Sequence, residues 1–109
     1  MSFNIRPTRT FQKQFKQLLK KYRSLTLDIL VLRSNLAANP VQGTSIGKNC
    51  FKIRLAISSK NQGKSGGARV ITNVHIVGET VYLLSIYDKS SKGNLDEGEL
   101  ERLLLEIDD

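Results

Sequence analysis

Lys52 and Arg54 stand two residues apart in CFKIRLAI, where apolar residues recur at every second position. Strand alternation sends Phe51, Ile53, Leu55 and Ile57 to one face and Cys50, Lys52, Arg54 and Ala56 to the other. The two cations then lie about 6.6 Å apart at a rise of about 3.3 Å per residue, a separation that suits two phosphates. Arg69 opens the next β-rich run, and Tyr87 and Lys89 arrive at the end of the one after it. If Arg69 faces the same way as Lys52 and Arg54, three cations converge on one sheet face. Such a set suits RNA cleavage by attack of a 2′-hydroxyl on the adjacent phosphate, which needs no metal. Arg and Lys donors stabilise the charge that develops on the phosphorane, and a Lys crowded by other cations has a lowered pKa and can serve as base. The same face would also bind phosphate without cutting it, and the residues alone leave both readings open.

Other chemistries lack their residues. One His and one Cys give no hydrolytic triad and no zinc cluster, and seven of the ten acids lie in the last fourteen residues, so a carboxylate pair or a two-metal site has no ligands. No metal and no cofactor is expected. His75 lies six residues along its strand from Arg69, about 20 Å away at strand rise, and reads as structural. Cys50 reads as a small half-buried apolar residue. GKSGG fails as a P-loop, because position 58 is Ser and a β-rich run, not a helix, follows Ser65.

The net charge of +7 is unevenly spread. Residues 1–78 hold fourteen Lys or Arg and a single acid, Asp28, whereas residues 79–109 hold three basic and nine acidic residues. A basic body of this kind attracts a polyanion, with nucleic acid the leading partner. The chain has the size of one domain, 1–109, and shows neither an apolar run long enough to span a membrane nor a signal peptide. A soluble cytoplasmic protein is expected.

The elements that must position the cations follow from periodicity. FNIR at 3–6 reads as a short strand, and Phe11, Phe15, Leu18, Leu19 and Tyr22 form the apolar stripe of a helix whose Lys13, Lys16 and Lys20 lie elsewhere around it. A second helix runs over 24–38 and stops before Pro40; its apolar residues nearly surround it, which predicts a sandwiched element or a partner surface. Strands at 50–57, 68–77 and 80–87 form a meander, with a turn at Gly78-Glu79. Tyr82 and Tyr87 differ by five and so point to opposite sides of an unbroken strand, Tyr82 into the core and Tyr87 toward a base. Asp96 with Glu99 reads as the cap of a terminal helix whose buried stripe is Leu100, Leu103, Leu104 and Ile107.

The order of elements, with KNCFKIRLAI, GKSGGARVI, VYLLSIYDKSSK and NLDEGELERLL, resembles the RelE/ParE superfamily of bacterial toxins over nearly the whole chain, most closely its RelE and HigB-like members. The resemblance implies an α+β fold: two N-terminal helices packed on a twisted, mainly antiparallel sheet of about four strands, with a short C-terminal helix. It implies a cognate antitoxin, with ribosome and mRNA as further partners, and metal-independent cleavage of mRNA on the ribosome that inhibits translation. It places catalytic cations at Lys52, Arg54 and Arg69. Lys89 stands where RelE has a catalytic Arg after the last strand, and Leu95 where RelE has a Tyr, with Tyr87 the nearby replacement. Lys48, Lys60, Lys64 and Lys92 are the expected RNA-phosphate contacts, and GKSGG becomes a hairpin loop that lets RNA approach. The alternative within the same superfamily is a ParE-like poison of DNA gyrase that acts by protein binding.

Overall fold

Helix α1 (Arg9–Lys21) starts at Thr8, whose Oγ1 accepts the Phe11 N–H at 3.3 Å and donates to the Leu83 carbonyl at 3.2 Å. One buried hydroxyl therefore caps the helix and fastens it to a strand 75 positions away. The computed structural model describes residues 2–60 and 66–107. In chain order its elements are β1 (Asn4–Pro7), α1, α2 (Leu25–Ala38), β2 (Thr44–Gly47), β3 (Cys50–Leu55), a 3₁₀ turn (Ser58–Lys60), β4 (Ala68–His75), β5 (Thr80–Asp88) and α3 (Glu99–Leu104).

The strands form one mixed sheet of five in the order β1-β5-β4-β3-β2, with β1 parallel to β5 and the other neighbours antiparallel. The architecture is α+β, with α1 and α2 on one face and the short α3 on the other. The expected count of about four strands is corrected to five. The unforeseen strand is β2, whose TSIG carries no alternating apolar pattern and which pairs only with the start of β3. Lys48 and Asn49 make the tight turn between β2 and β3, both with positive φ (57° and 59°), the backbone that two-residue hairpins require.

Alternation sorts the β3 and β4 side chains as their pattern predicts. Ile53, Leu55, Ala68, Val70 and Val74 join Phe11, Leu25, Ile29, Leu32 and Leu36 in the core under the two helices. Cys50 and Ile71 join Leu84, Tyr87 and Leu103 in a second, smaller cluster beneath α3. Strand β5 departs from strict alternation. Ile71 pairs with Ser85 but Thr72 pairs with Leu83, so Leu84 is an extra residue in a β-bulge. One extra residue reverses parity, so Tyr82 and Tyr87 both pack in the cluster beneath α3, and the expectation of opposite faces is corrected. Gln14 of α1 serves the bulge: its Oε1 accepts the Ile86 N–H and the Ser85 hydroxyl, each at 2.9 Å.

Helix α3 begins two residues later than the Asp96 cap predicts. Its N-cap is Gly98 at φ +79°, and the Glu99 carboxylate accepts the Asp96 N–H at 2.8 Å. At its other end Glu106 reaches across to α1, where its carboxylate accepts the Thr10 N–H at 2.9 Å and the Thr10 hydroxyl. A C-terminal acid thus caps the N-terminal helix, whose own first turn contains none. No helix among the described residues is long and apolar enough to cross a membrane.

Candidate functional site

The β3, β4 and β5 registers pair Arg54 with Arg69 and Arg69 with Tyr87, which makes a row of three side chains across the sheet on the α3 side. Directly opposed residues on adjacent strands have Cβ atoms about 5 Å apart, so two guanidinium-bearing side chains leave neighbouring points of one face. Like charges placed so destabilise a sheet. Arg54 is exposed, whereas Arg69 is only 4 % exposed and donates from a guanidinium nitrogen to the Ala68 carbonyl at 3.1 Å. Lys52 stands one pair upstream, beside Ile71, and its ammonium donates to Asn94 Oδ1 at 2.8 Å.

Tyr87 is buried and its hydroxyl has no hydrogen-bond partner among the described residues. Burial pushes its pKa up, while the charges of Lys92 and Arg69 pull the other way. The Lys92 ammonium lies 5.2 Å from the centre of the Tyr87 ring and pairs with Glu99 at 2.8 Å and Asp96 at 3.9 Å. The hydrogen bond to Glu99 raises the Lys92 pKa against its desolvation, so Lys92 is held as a cation and is no candidate base. Lys89 is exposed just past β5, and its backbone N–H bonds the Gly67 carbonyl at 3.0 Å, joining the end of β5 to the start of β4.

The expected RNA contacts are dispersed. Lys48 is exposed on the β2–β3 turn and pairs with Glu101 at 2.9 Å, a solvated pair that a polyanion can displace. Lys60, a further expected contact, is paired in the folded protein. Its side chain is 10 % exposed, with the ammonium 2.9 Å from Asp88 and 5.4 Å from the centre of the Tyr22 ring. Lys64, and with it most of the GKSGG loop, lies outside the described residues. His75 is exposed at the far end of β4 and meets Tyr82 edge-on at 5.3 Å; Cys50 is buried, which pushes its thiol pKa up. Among the described residues no group of three or more His, Cys, Asp or Glu is placed to hold a metal ion.

Asp88 is the residue that sequence reasoning passed over. It is 3 % exposed, and its carboxylate accepts Tyr22 Oη at 2.6 Å, Lys60 Nζ at 2.9 Å, the Ser90 N–H at 3.0 Å and the Ser90 hydroxyl at 2.8 Å. Burial alone would raise its pKa, but the hydrogen bonds from Tyr22, Ser90 and Lys60 outweigh it and hold the group well below the usual carboxylate range. Asp88 thereby fixes the turn that follows Tyr87 and carries Lys89 and Lys92. An Asp followed two residues later by Ser is the signature of a side-chain-closed turn, and that signal was present in YDKSS.

Comparison with solved structures identifies the fold. The free form of a mutant of the E. coli toxin RelE superposes with a TM-score of 0.61 at 16 % identity, over 97 % of this chain and 94 % of that one. The RelBE2 toxin–antitoxin complex of Mycobacterium tuberculosis gives a TM-score of 0.61 at 17 % identity, over 81 % of this chain and 92 % of that one. The fold is RelE-like. The sequence matches no family model and no curated protein.

Proposed function

We propose that this protein is the toxin of a toxin–antitoxin pair, an endoribonuclease that cuts mRNA on the ribosome in the cytoplasm without a metal ion. The observation that carries the reading is the Arg54, Arg69 and Tyr87 row with Lys52 beside it, a like-charge arrangement that costs the sheet stability and suits a phosphate. In the reaction the 2′-oxygen bonds to phosphorus while its proton passes to a base, and the bond to the 5′-oxygen breaks as that oxygen takes up a proton. The products are a 2′,3′-cyclic phosphate and a 5′-hydroxyl. Exposed Arg54 offers two parallel donors to the non-bridging oxygens, and Lys52 holds a neighbouring phosphate. Arg69 acts from beneath, where its buried charge adds to the field at the phosphorane. We assign the proton transfer to the Tyr87 hydroxyl, which RNA must uncover because it is buried in the free protein, and Lys89 supplies charge at the edge of the row without an arginine's fork. Lys48 and Lys92 meet flanking phosphates once their acidic partners are displaced. The antitoxin assignment draws support from the fold shared with the M. tuberculosis complex.

Primer extension on a translated mRNA with purified protein and ribosomes tests the reading. Codon-phased cuts that need ribosomes, and that fall by at least about 100-fold in Arg54→Ala and vanish in K52A/R54A/R69A, are expected. No cuts under any condition, with inhibition of DNA supercoiling instead, would replace it with a gyrase-directed function.

A further inference from the structure

Helix α1 carries a second concentration of positive charge, on the side of the molecule away from the candidate site. Arg9, Lys13, Lys16 and Lys20 fall at i, i+4, i+7 and i+11, which at about 100° per residue confines them to an arc of about 60° and spreads them over about 16 Å of helix axis. All four are exposed, and among the described residues none of their side chains enters an ion pair. The opposite side of α1, with Phe11, Phe15, Leu18 and Leu19, faces the core.

This stripe works against the fold. Like charges three and four residues apart on one helix face repel, and the first turn of α1 supplies no acid of its own beside Arg9. A rod of phosphates would turn that repulsion into attraction. An anionic bilayer fits less well, because the helix has no apolar residue left over to insert and the stripe is flanked by Gln12 and Gln17.

We infer that the exposed face of α1 is a second nucleic-acid surface, which grips the phosphate backbone of duplex RNA while the other face of the sheet meets the strand to be cut. The molecule is 22 Å along its shortest axis, so the two surfaces engage separate segments of a folded RNA. The choice of RNA over DNA rests on the reading given above; the phosphate grip does not. Backbone contacts of this kind position a protein without reading sequence.

The test is fluorescence anisotropy with a labelled RNA duplex of about 20 base pairs, without ribosomes, at several salt concentrations. Wild type should bind with an affinity that falls steeply with salt. K13Q/K16Q/K20Q, checked for an unchanged unfolding midpoint, should lose at least tenfold in affinity near 0.1 M salt and about 2 to 3 from the logarithmic salt slope. Arg102→Gln, which removes an exposed cation outside both surfaces, should stay within about threefold of wild type. An unchanged affinity and slope in the α1 variant overturns the inference, as does tighter binding to duplex DNA of equal length. A loss on polyglutamate or anionic vesicles that is not seen on RNA also overturns it, and assigns the stripe to an acidic protein or a membrane. If ribosome-dependent cutting is absent while the α1-dependent grip persists, the functional reading falls and this inference stands.

Discussion

Replacing Asp88 with Asn probes the joint between scaffold and site. The substitution keeps the shape but removes the charge from a group that receives Tyr22 Oη at 2.6 Å and Lys60 Nζ at 2.9 Å. Two charge-assisted hydrogen bonds at about 1.5 to 3 kcal/mol each put the loss at about 3 to 6 kcal/mol. Removing one member of a buried ion pair costs about 3 to 5 kcal/mol, and the Lys60 side chain, 10 % exposed, can recover some hydration, so about 3 kcal/mol is expected. Urea unfolding at pH 7, with a denaturant slope of about 1 to 1.5 kcal/mol per molar for a small domain, should show the midpoint moving down by about 2 to 3 M. In a Lys60→Met background the same replacement should cost at least about 1 kcal/mol less, since the two groups share one interaction. The dependence on pH has a fixed sign. The folded pKa lies below the ordinary unfolded value of about 3.9, so the stabilisation is complete well above that value and is lost as pH falls through it toward the folded pKa. The gap between wild type and Asp88→Asn should therefore narrow steadily as pH falls from about 5 to 2 and close only below that range. A midpoint shift under about 0.7 M, or a gap that stays constant down to pH 2.5, would refute the assignment of Asp88 as a buried, charged staple.

Three further outcomes follow from the same geometry. Tyr87→Phe removes a buried hydroxyl that has no partner among the described residues, so the protein should become more stable by up to about 1 kcal/mol in urea unfolding while cutting on ribosomes slows; an unchanged rate removes Tyr87 from the proton transfers. Glu106→Ala strips the acid that caps α1 from the far end of the chain and should cost about 1 kcal/mol, seen as faster hydrogen exchange at Thr10 and a lower melting temperature. Gly67→Ala would set a Cβ 2.1 Å from the Leu55 carbonyl oxygen and 2.9 Å from the Ile57 nitrogen, which backbone cannot yield without parting β3 from β4; a loss of at least about 3 kcal/mol or failure to fold is expected, and a wild-type midpoint would contradict it.

Much of the molecule is legible in local pattern. The stripe of Phe11, Phe15, Leu18 and Leu19 and the alternation from Cys50 to Leu55 each describe a surface that one element must bury, so their periods declare helix and strand before any partner is known. Parity alone placed Lys52 and Arg54 together, and the single acid beside fourteen cations in residues 1–78 raised the expectation of a polyanion. What tertiary structure decided was register and pairing. Arg54 stands opposite Arg69, 15 positions on, and Tyr87 completes the row a further 18 positions on, because of strand register, which no local period encodes. The bulge at Leu84 turned Tyr82 and Tyr87 to the same face, since one extra residue reverses alternation and Gln14 from a distant helix satisfies the displaced backbone. Lys60 reads in sequence like any surface lysine. Only the folded chain brings it against Asp88 and Tyr22, where removal from water makes a paired charge structural.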